Sequence, residues 1–480
     1  MLSTAPSVNL ALDETPDLGP GSRLVSGWLR PHSGADAASL RSVERNRRAA
    51  LTGLTSIMAK FVVLVTTIVS VPLTYRYLGM DRYGLWMTMT SFVLFLGFAD
   101  FGVGNGLASA ISEAHGKDDP QLAQRQISCG FFLLCFLALG IFLLLSVVYP
   151  FVPWGRLYGT SGALAGREAG PATAILIACT ALSMPLGTVL RVQIGYQQGF
   201  VADLWNAAGN ALALAGIIFV TRVGGGLPNL VLAVAGAPVL ITALNWVMQF
   251  LRVRPWLRPQ FAFCEREGAL KLAAVGGLFF VQQCFGLLYY VSDNIVIART
   301  MGSAKVAQFA VMQRIFSIGL VAQYFMVPLW PAIGEAIARR DLAWAHRIVR
   351  QAVTISLGLG SFSALCLLFI SGPLMKRWSG VDAGGIDLLR VGFAVWVVLV
   401  GYIAAMNAIL NQPAVMGLHL KLFGAATLVS LALKIAFARQ GSLCGVVWGT
   451  VIGFSIVYVV PATRLAFRSV VLATGGTDAS

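Results

Sequence analysis

The sequence predicts an all-α polytopic membrane protein, with about twelve transmembrane helices in two six-helix bundles. Of its 480 residues, 57% are hydrophobic and 11% charged, with mean hydropathy +0.77, so polar surface is too scarce to cover a water-soluble core of this size. Apolar runs of about 20 residues, the length that crosses ~30 Å of hydrocarbon as a helix, recur along the chain. A loop sequence also recurs at a fixed offset of 222 residues, which points to an internal duplication.

Residues 1–45 are polar and broken by Pro and Gly, with no apolar stretch after a basic start. They read as a disordered cytoplasmic tail rather than a cleaved signal peptide. Arg41, Arg45, Arg47 and Arg48 then precede the first apolar run, the positive-inside pattern that places the amino terminus in the cytoplasm. Runs over 52–73 and 84–110 form a hairpin about a polar turn carrying Arg76, Asp81 and Arg82. Ten further spans are expected near 127–149, 172–194, 204–221, 229–250, 270–297, 305–334, 351–371, 388–410, 417–437 and 443–463. With both termini inside, 19 Lys and Arg (Arg191 among them) fall in inner segments and 12 (Lys434 and Arg439 among them) in outer loops, a bias that supports this topology. The basic stretch 252–269 reads as a cytoplasmic linker between a first bundle over 46–251 and a second over 270–466, with 467–480 a second cytoplasmic tail.

The duplication is read from EAHGKDDPQLAQRQ and EAIARRDLAWAHRI, where Glu113, Ala114, Asp119, Ala123 and Arg125 match Glu335, Ala336, Asp341, Ala345 and Arg347. Leu78-Gly79 and Met301-Gly302 fall at nearly the same offset. Two like-oriented halves joined on the inside describe a transporter with a site between repeats. The net charge of +15 does not signal nucleic acid, since no basic recognition helix or aromatic-basic motif accompanies it. Seven cysteines without paired spacing signal neither disulfides nor a metal site. Gly102-x-Gly104-x-Gly106 follows no strand, so it reads as a motif that loosens or closely packs a membrane helix and not as a dinucleotide loop. Pro72, Pro185, Pro328, Pro331 and Pro413 lie in or near span ends, where they kink helices or are tolerated in ordinary packing.

Four charges lie well inside apolar runs: Lys60, ~16 Å into the first span, Asp100 in the second, Asp293 in the seventh and Arg314 in the eighth. An ion facing lipid costs several kcal/mol, so these should face one another or a wet cavity. Lys60 shares a helical stripe with Gly53, Ser56 and Thr67, and Asp293 shares one with Gln282, Gly286 and Tyr289. Arg314 stands beside Gln313, with Ser317 and Tyr324 nearby, whereas Asp100 shares a small-residue stripe with Gly97, Gly104 and Ala108. Lys60, Arg314, Gln282 and Gln313 are thus candidate substrate contacts. Asp100 and Asp293 fit either ion coupling or structural anchoring, and a Lys60–Asp100 pair is the structural alternative. Asp293 lies near an outer span end, where snorkelling to water is easy. Glu113 with Arg125, and Glu335 with Arg347, sit on inner helix ends and are candidate gate residues, although solvated charges fit there equally. His115, His346 and His419 fall in or beside inner loops and are not read as proton relays.

The stretch VPLTYRYLGMDRYGLWMTMTSFVLFLGFADFGVGNGLASAISEA, with LYYVSDNIVIARTMG and PLWPAIGEAIARRDLAWAHR further on, resembles the Wzx-type polysaccharide-repeat flippases. These belong to the superfamily that also holds multidrug-and-toxin exporters and the lipid II flippase. The resemblance covers about residues 47–470 and implies a V-shaped, MATE-like pair of bundles with spans 1, 2, 7 and 8 lining a central cavity. It further implies a multi-pass protein of the cell inner membrane that moves undecaprenyl-diphosphate-linked glycan between leaflets, alongside membrane lipid, a polysaccharide polymerase and glycosyltransferases. No GxxxxGK[ST] loop occurs, so ATP is not the direct energy source, which leaves proton or sodium coupling or downhill movement. A cation-coupled multidrug exporter is the alternative within the superfamily. A membrane glycosyltransferase or polymerase fits less well, because the longest outer connection, about Pro150 to Pro171, is short and has no acidic catalytic pair.

Overall fold

The computed structural model describes residues 37–96, 100–158, 163–379 and 387–475, and among these the regular structure is entirely helical. Helix α1, Ala37–Leu96, starts inside the segment expected to be a tail, where Ala, Leu, Glu and Arg favour helix; the rest of that tail lies outside the described residues. Residues 48–475 belong to one compact unit; before Arg48, the described chain is the start of α1, with Glu44 and Arg47 paired at 3.7 Å.

In the first half follow α2 (Val103–Gly116), α3 (Pro120–Val148), α4 (Ala163–Leu186), α5 (Thr188–Gly195), α6 (Gly199–Val223) and α7 (Leu227–Val253). In the second half follow α8 (Arg266–Met301), α9 (Ser303–Ser317), α10 (Ala322–Met326), α11 (Leu329–Ala338), α12 (Leu342–Ser379), α13 (Leu388–Leu410), α14 (Pro413–Arg439) and α15 (Leu443–Phe454). A π turn carries α15 into α16 (Val460–Gly475), so helix also crosses most of the segment expected to be a second tail.

Among the described residues nine helices are long and apolar enough to cross a membrane, or ten if α9 and α10–α11, bent by 45°, form one span. The two arms of α1 stand where the first two runs were expected, which is compatible with twelve. Lipid and core helices separate by burial. The most apolar 18-residue window of the α3 span has mean hydropathy 3.0 and is 11% buried, whereas that of α13 is 78% buried.

Three expected spans are broken. Span 2 is non-helical over Asp100, Phe101 and Gly102 ahead of Val103, span 4 breaks at Gly187 after Pro185, and span 8 breaks twice between Ser317 and Leu329. The first break overturns the reading of Asp100 as a mid-helix charge. Asp100 precedes α2, its carboxylate accepting from Gly102 N–H at 2.9 Å and its carbonyl from Val103 N–H at 2.9 Å. Gly97 of the expected Asp100 stripe lies outside the described residues.

The duplication is visible in the backbone. Gly79 (φ 71°, ψ 175°) and Gly302 (φ 86°, ψ 169°) adopt the same conformation, one open essentially to glycine alone. Asp118 (φ 52°) and Arg340 (φ 58°), 222 residues apart, are both left-handed. The next residues, Asp119 and Asp341, accept from the N–H of Leu122 at 2.9 Å and Trp344 at 3.3 Å. Buried apolar side chains divide likewise, one cluster drawn from 289–466 and two from 78–272, with Leu272 of α8 joining the first half.

The halves meet where α2 crosses α8 on glycine. A Cβ on Gly102 would lie 2.3 Å from the Gly276 carbonyl oxygen, and one on Gly276 would lie 3.0 Å from the Val103 backbone. Close backbone approach is what small residues permit in membranes, as the Gly102–Gly106 motif led us to expect. Gly276→Val should therefore separate the two helices at a cost of about 1–3 kcal/mol, seen as a lowered melting temperature in detergent. Gly277→Val, where a Cβ meets nothing within 4 Å, is the control and should melt within error of wild type.

Candidate functional site

A cavity of about 500 Å³ opens against the first half, lined by α1 from Arg48 to Ser56, Asp100 and the start of α2, Leu134 of α3, α4 to α6, and, from the second half, Val327, Pro328 and Pro331 about the start of α11. Two carboxylates organise its polar wall. Asp100 faces Arg191 of α5 at 4.0 Å, and Arg191 donates to Asn105 Oδ1 at 2.8 Å. Gly104 makes room for this pair, since a Cβ there would sit 2.8 Å from both Arg191 Nε and Asp100 Oδ2. Asp203 of α6 accepts from the hydroxyls of Ser56 and Thr55 on α1, and Lys60 is the cation acting on it. Arg48, Gln197 and Asn206 add further polar groups to the wall.

This arrangement corrects two sequence expectations. Arg191, counted among inner-segment cations, lies in a membrane helix beside Asp100, so the Lys60–Asp100 pair is not formed. Lys60 is exposed on α1, and among the described residues no carboxylate lies within salt-bridge distance of it. Asp203 and Arg191 were missed because one ion per helix carries no periodic signal; only packing of α5 and α6 against α1 and α2 reveals their partners.

In the second half the candidates separate. Arg314 of α9 is exposed, with no ion pair among the described residues, and Gln313 is half-buried. Gln282 donates to Asn407 at 3.3 Å and Asn411 at 2.9 Å, and Asn411 Oδ1 also meets His419 Nδ1 at 3.1 Å. His419 Nε2 in turn meets the Tyr458 hydroxyl at 2.7 Å. An acceptor at Asn411 puts the histidine proton on Nδ1 and makes Nε2 the acceptor of Tyr458 O–H. Gln282 thus belongs to a polar network that ties α8, α13, α14 and the π turn together, and His419 lies inside helix α14 and not in a loop.

Asp293 does not snorkel. It is buried against Lys434 Nζ at 2.6 Å, and Lys434, 1% exposed, also donates to the Tyr289 carbonyl at 3.0 Å and Ser292 Oγ at 3.2 Å. The cation expected in an outer loop is therefore the counter-ion of the deep carboxylate. Neutralising one member strands the other: Asp293→Asn or Lys434→Met alone should cost about 3–5 kcal/mol, whereas the double variant should regain most of that stability. Thermal melts of the three variants check this.

The repeated loops meet at the end of the bundles carrying Arg48. Ser112 Oγ donates to the Pro331 carbonyl at 2.5 Å, Gln197 donates to Glu335, and Arg339 donates to Glu335 at 2.8 Å. Arg339 also donates to both Asp118 oxygens and, at 2.9 Å, to the His115 carbonyl. Of the four expected gate residues only Glu335 joins this latch. Glu113 pairs with Lys117 at 2.6 Å, Arg125 with Glu265 at 3.5 Å, and Arg347 is exposed. The working cation is Arg339, one helical turn from Glu335; the hydrogen bonds to Asp118 raise the pKa of Arg339.

His115 Nε2 stands 3.7 Å from Glu335, but burial and the nearby Arg339, Arg48 and Arg254 outweigh that attraction and push its pKa below the usual 6.5. The unlatched form then binds more protons, so the latch is at full strength above pH 6.5 and weakens as pH falls below it. Spin labels on Glu113→Cys and Arg340→Cys should report more of the separated state at low pH, and His115→Gln should flatten that response.

These features define a polytopic helical membrane protein with duplicated halves, a polar cavity among its spans and a latch at one end. A model of the family "Polysaccharide biosynthesis protein" matches residues 50–336, and the chain belongs to that family. A Salmonella typhi protein named "Putative O-antigen transporter" is 21% identical over 417 residues, covering 83% of this chain and 91% of that one. A Salmonella typhimurium protein of the same name is 20% identical over 324 residues, covering 65% and 71%. The fold is shared with an outward-facing multidrug resistance MATE family transporter of the MOP superfamily, at TM-score 0.74 and 17% identity over 89% of this chain and 95% of that one. A MOP superfamily transporter from Pyrococcus furiosus described as having a binding pocket of reversed polarity matches at TM-score 0.73, with the same identity and coverage.

Proposed function

We propose that the chain is a flippase that carries undecaprenyl-diphosphate-linked oligosaccharide repeat units across the cytoplasmic membrane for O-antigen, capsule or exopolysaccharide synthesis. The observation carrying this reading is the cavity of about 500 Å³ with mixed charge on its wall, in a chain of the polysaccharide biosynthesis family. A diphosphate and its sugars cannot enter hydrocarbon, but a polyprenyl tail can stay in it, so a polar cavity among the helices need shield only the head group. Lys60, which acts on Asp203 of the cavity wall, and Arg314 of the second half are outside the cavity lining itself but exposed and without ion pairs among the described residues, and would take up phosphate oxygens as the head group moves, Lys as a point charge and Arg as a fork. Asp203, held by two hydroxyls near Lys60, is the group through which a proton or sodium gradient would act. The 46–251 and 270–466 bundles would rock about the glycine crossing, with both termini and the latch on the cytoplasmic side. A cation exporter would want an unengaged acid in the cavity, whereas Asp100 is taken by Arg191 and the Gly102 amide, and Asp203 by the hydroxyls of Thr55 and Ser56.

In a deletion strain, polyprenyl-linked glycan should accumulate in the inner leaflet and the wild-type gene should restore surface polysaccharide. Lys60→Ala should lower restoration about tenfold, the equivalent of one lost charge-assisted contact, with protein abundance unchanged, and Lys60→Arg should lower it less. Normal surface polysaccharide in the deletion strain would refute the flippase reading.

A further inference from the structure

Beside the latch lies a second cavity of about 450 Å³, lined by Arg48, His115, Asp118, Asp119, Tyr196, Arg254 and Trp256 among others. Tyr196 is clasped on two sides: the Arg254 guanidinium stacks over its ring at 4.0 Å, and the His115 ring packs against it at 5.0 Å. Arg48 donates to the Tyr196 carbonyl at 3.4 Å, so two guanidinium groups converge on one residue. Both acids are already engaged, Asp118 by Arg339 and Asp119 as the cap of α3. Arg254 Nη1 is buried without a hydrogen-bond partner among the described residues. Burial is the first cause that lowers the pKa of Arg254, and the charge of Arg48 adds to it, so the two cations repel each other across the cavity. A bound anion would relieve both the repulsion and the orphaned N–H.

The linker that supplies Arg254 is rigidly seated. Leu257 is fully buried, Gln260 N–H donates to Ser128 Oγ at 3.2 Å, and Phe261 packs edge-on against Phe132. Its outer surface is apolar and basic together, with Trp256 57% and Phe261 76% exposed beside Arg252 and Arg258. Aromatic rings interleaved with arginines are what a segment lying at the lipid–water boundary presents. We propose that Arg48, Arg254 and His115 form a binding site for the phosphate of a membrane lipid head group, next to the latch and adjoining the first cavity, with which it shares Arg48. The site rests on the chain's place in a membrane and not on the flippase reading, and Arg supplies the planar fork that suits phosphate oxygens.

The full-length protein in nanodiscs tests this by lipid retention in native mass spectrometry, with phosphatidylglycerol against a phosphate-free diacylglycerol glycoside as probes. Wild type should retain phosphatidylglycerol selectively, Arg254→Gln should retain it about tenfold less, and Arg254→Lys should fall between, because charge remains but the fork is lost. Arg258→Gln, outside the cavity but on the same linker, should bind as wild type, and matched melting temperatures exclude misfolding as the cause. Equal losses in Arg254→Gln and Arg258→Gln, or no preference for the phosphate lipid, would overturn the site. Inorganic phosphate or pyrophosphate binding to the detergent-purified protein through Arg254, without lipid retention, would overturn the lipid assignment in favour of a free anion.

Discussion

The structure depends on how ionised side chains are kept out of hydrocarbon. A charge at depth must find an opposite charge, a set of dipoles or water, and each deep ion here takes a different course. Asp293 and Lys434 form a sealed pair in which the ammonium also donates to the Tyr289 carbonyl and Ser292 Oγ. Asp100 spends its carboxylate on the broken backbone before α2 and on Arg191. Asp203 is held by hydroxyls at a cavity wall. The sealed pair anchors the second half, and the other two line a polar cavity in the first, so the asymmetry between halves follows from where counter-ions were placed.

The duplication gives the two halves a common frame. Gly79 and Gly302 turn the chain in the same forbidden-to-others conformation, and the Asp118–Asp119 and Arg340–Asp341 turns launch α3 and α12 in the same way. Onto that frame divergent side chains are fitted. Lys117 is the repeat mate of Arg339, yet it pairs along its own helix with Glu113, whereas Arg339 reaches across to Asp118 and so joins the halves. A duplicated loop has thereby become a latch with one working arm. The latch and the α2–α8 glycine crossing are two of the connections between halves among the described residues, one polar and titratable, the other a steric fit that does not depend on pH.

Membership of the polysaccharide biosynthesis family and a fold shared with MATE transporters sit together without strain, because the fold sets where a cavity forms and the residues lining it set what enters. Arg48, Arg191 and Asp203 line this cavity, and none of them marks itself in a hydropathy profile.

The all-helical membrane class, the order of the spans, the duplication and the glycine packing motif were legible in the sequence, because hydropathy, length and repeat offset are local properties. Lys60, Asp100, Asp293 and Arg314 were recognisable as costly ions for the same reason. Their partners were not. Lys434 read as an outer-loop cation and Arg191 as an inner one, since charge counting assigns a residue to the nearest span end and cannot see which face of a helix meets which neighbour. Gln282 read as a site residue until Asn407 and Asn411 were seen to take its amide, and Arg339 was passed over for Arg347 because both stand near Glu335 in sequence and only one reaches Asp118 in space. Sequence determined which groups had to be satisfied within the membrane; the packing of helices far apart in the chain decided which groups satisfy them.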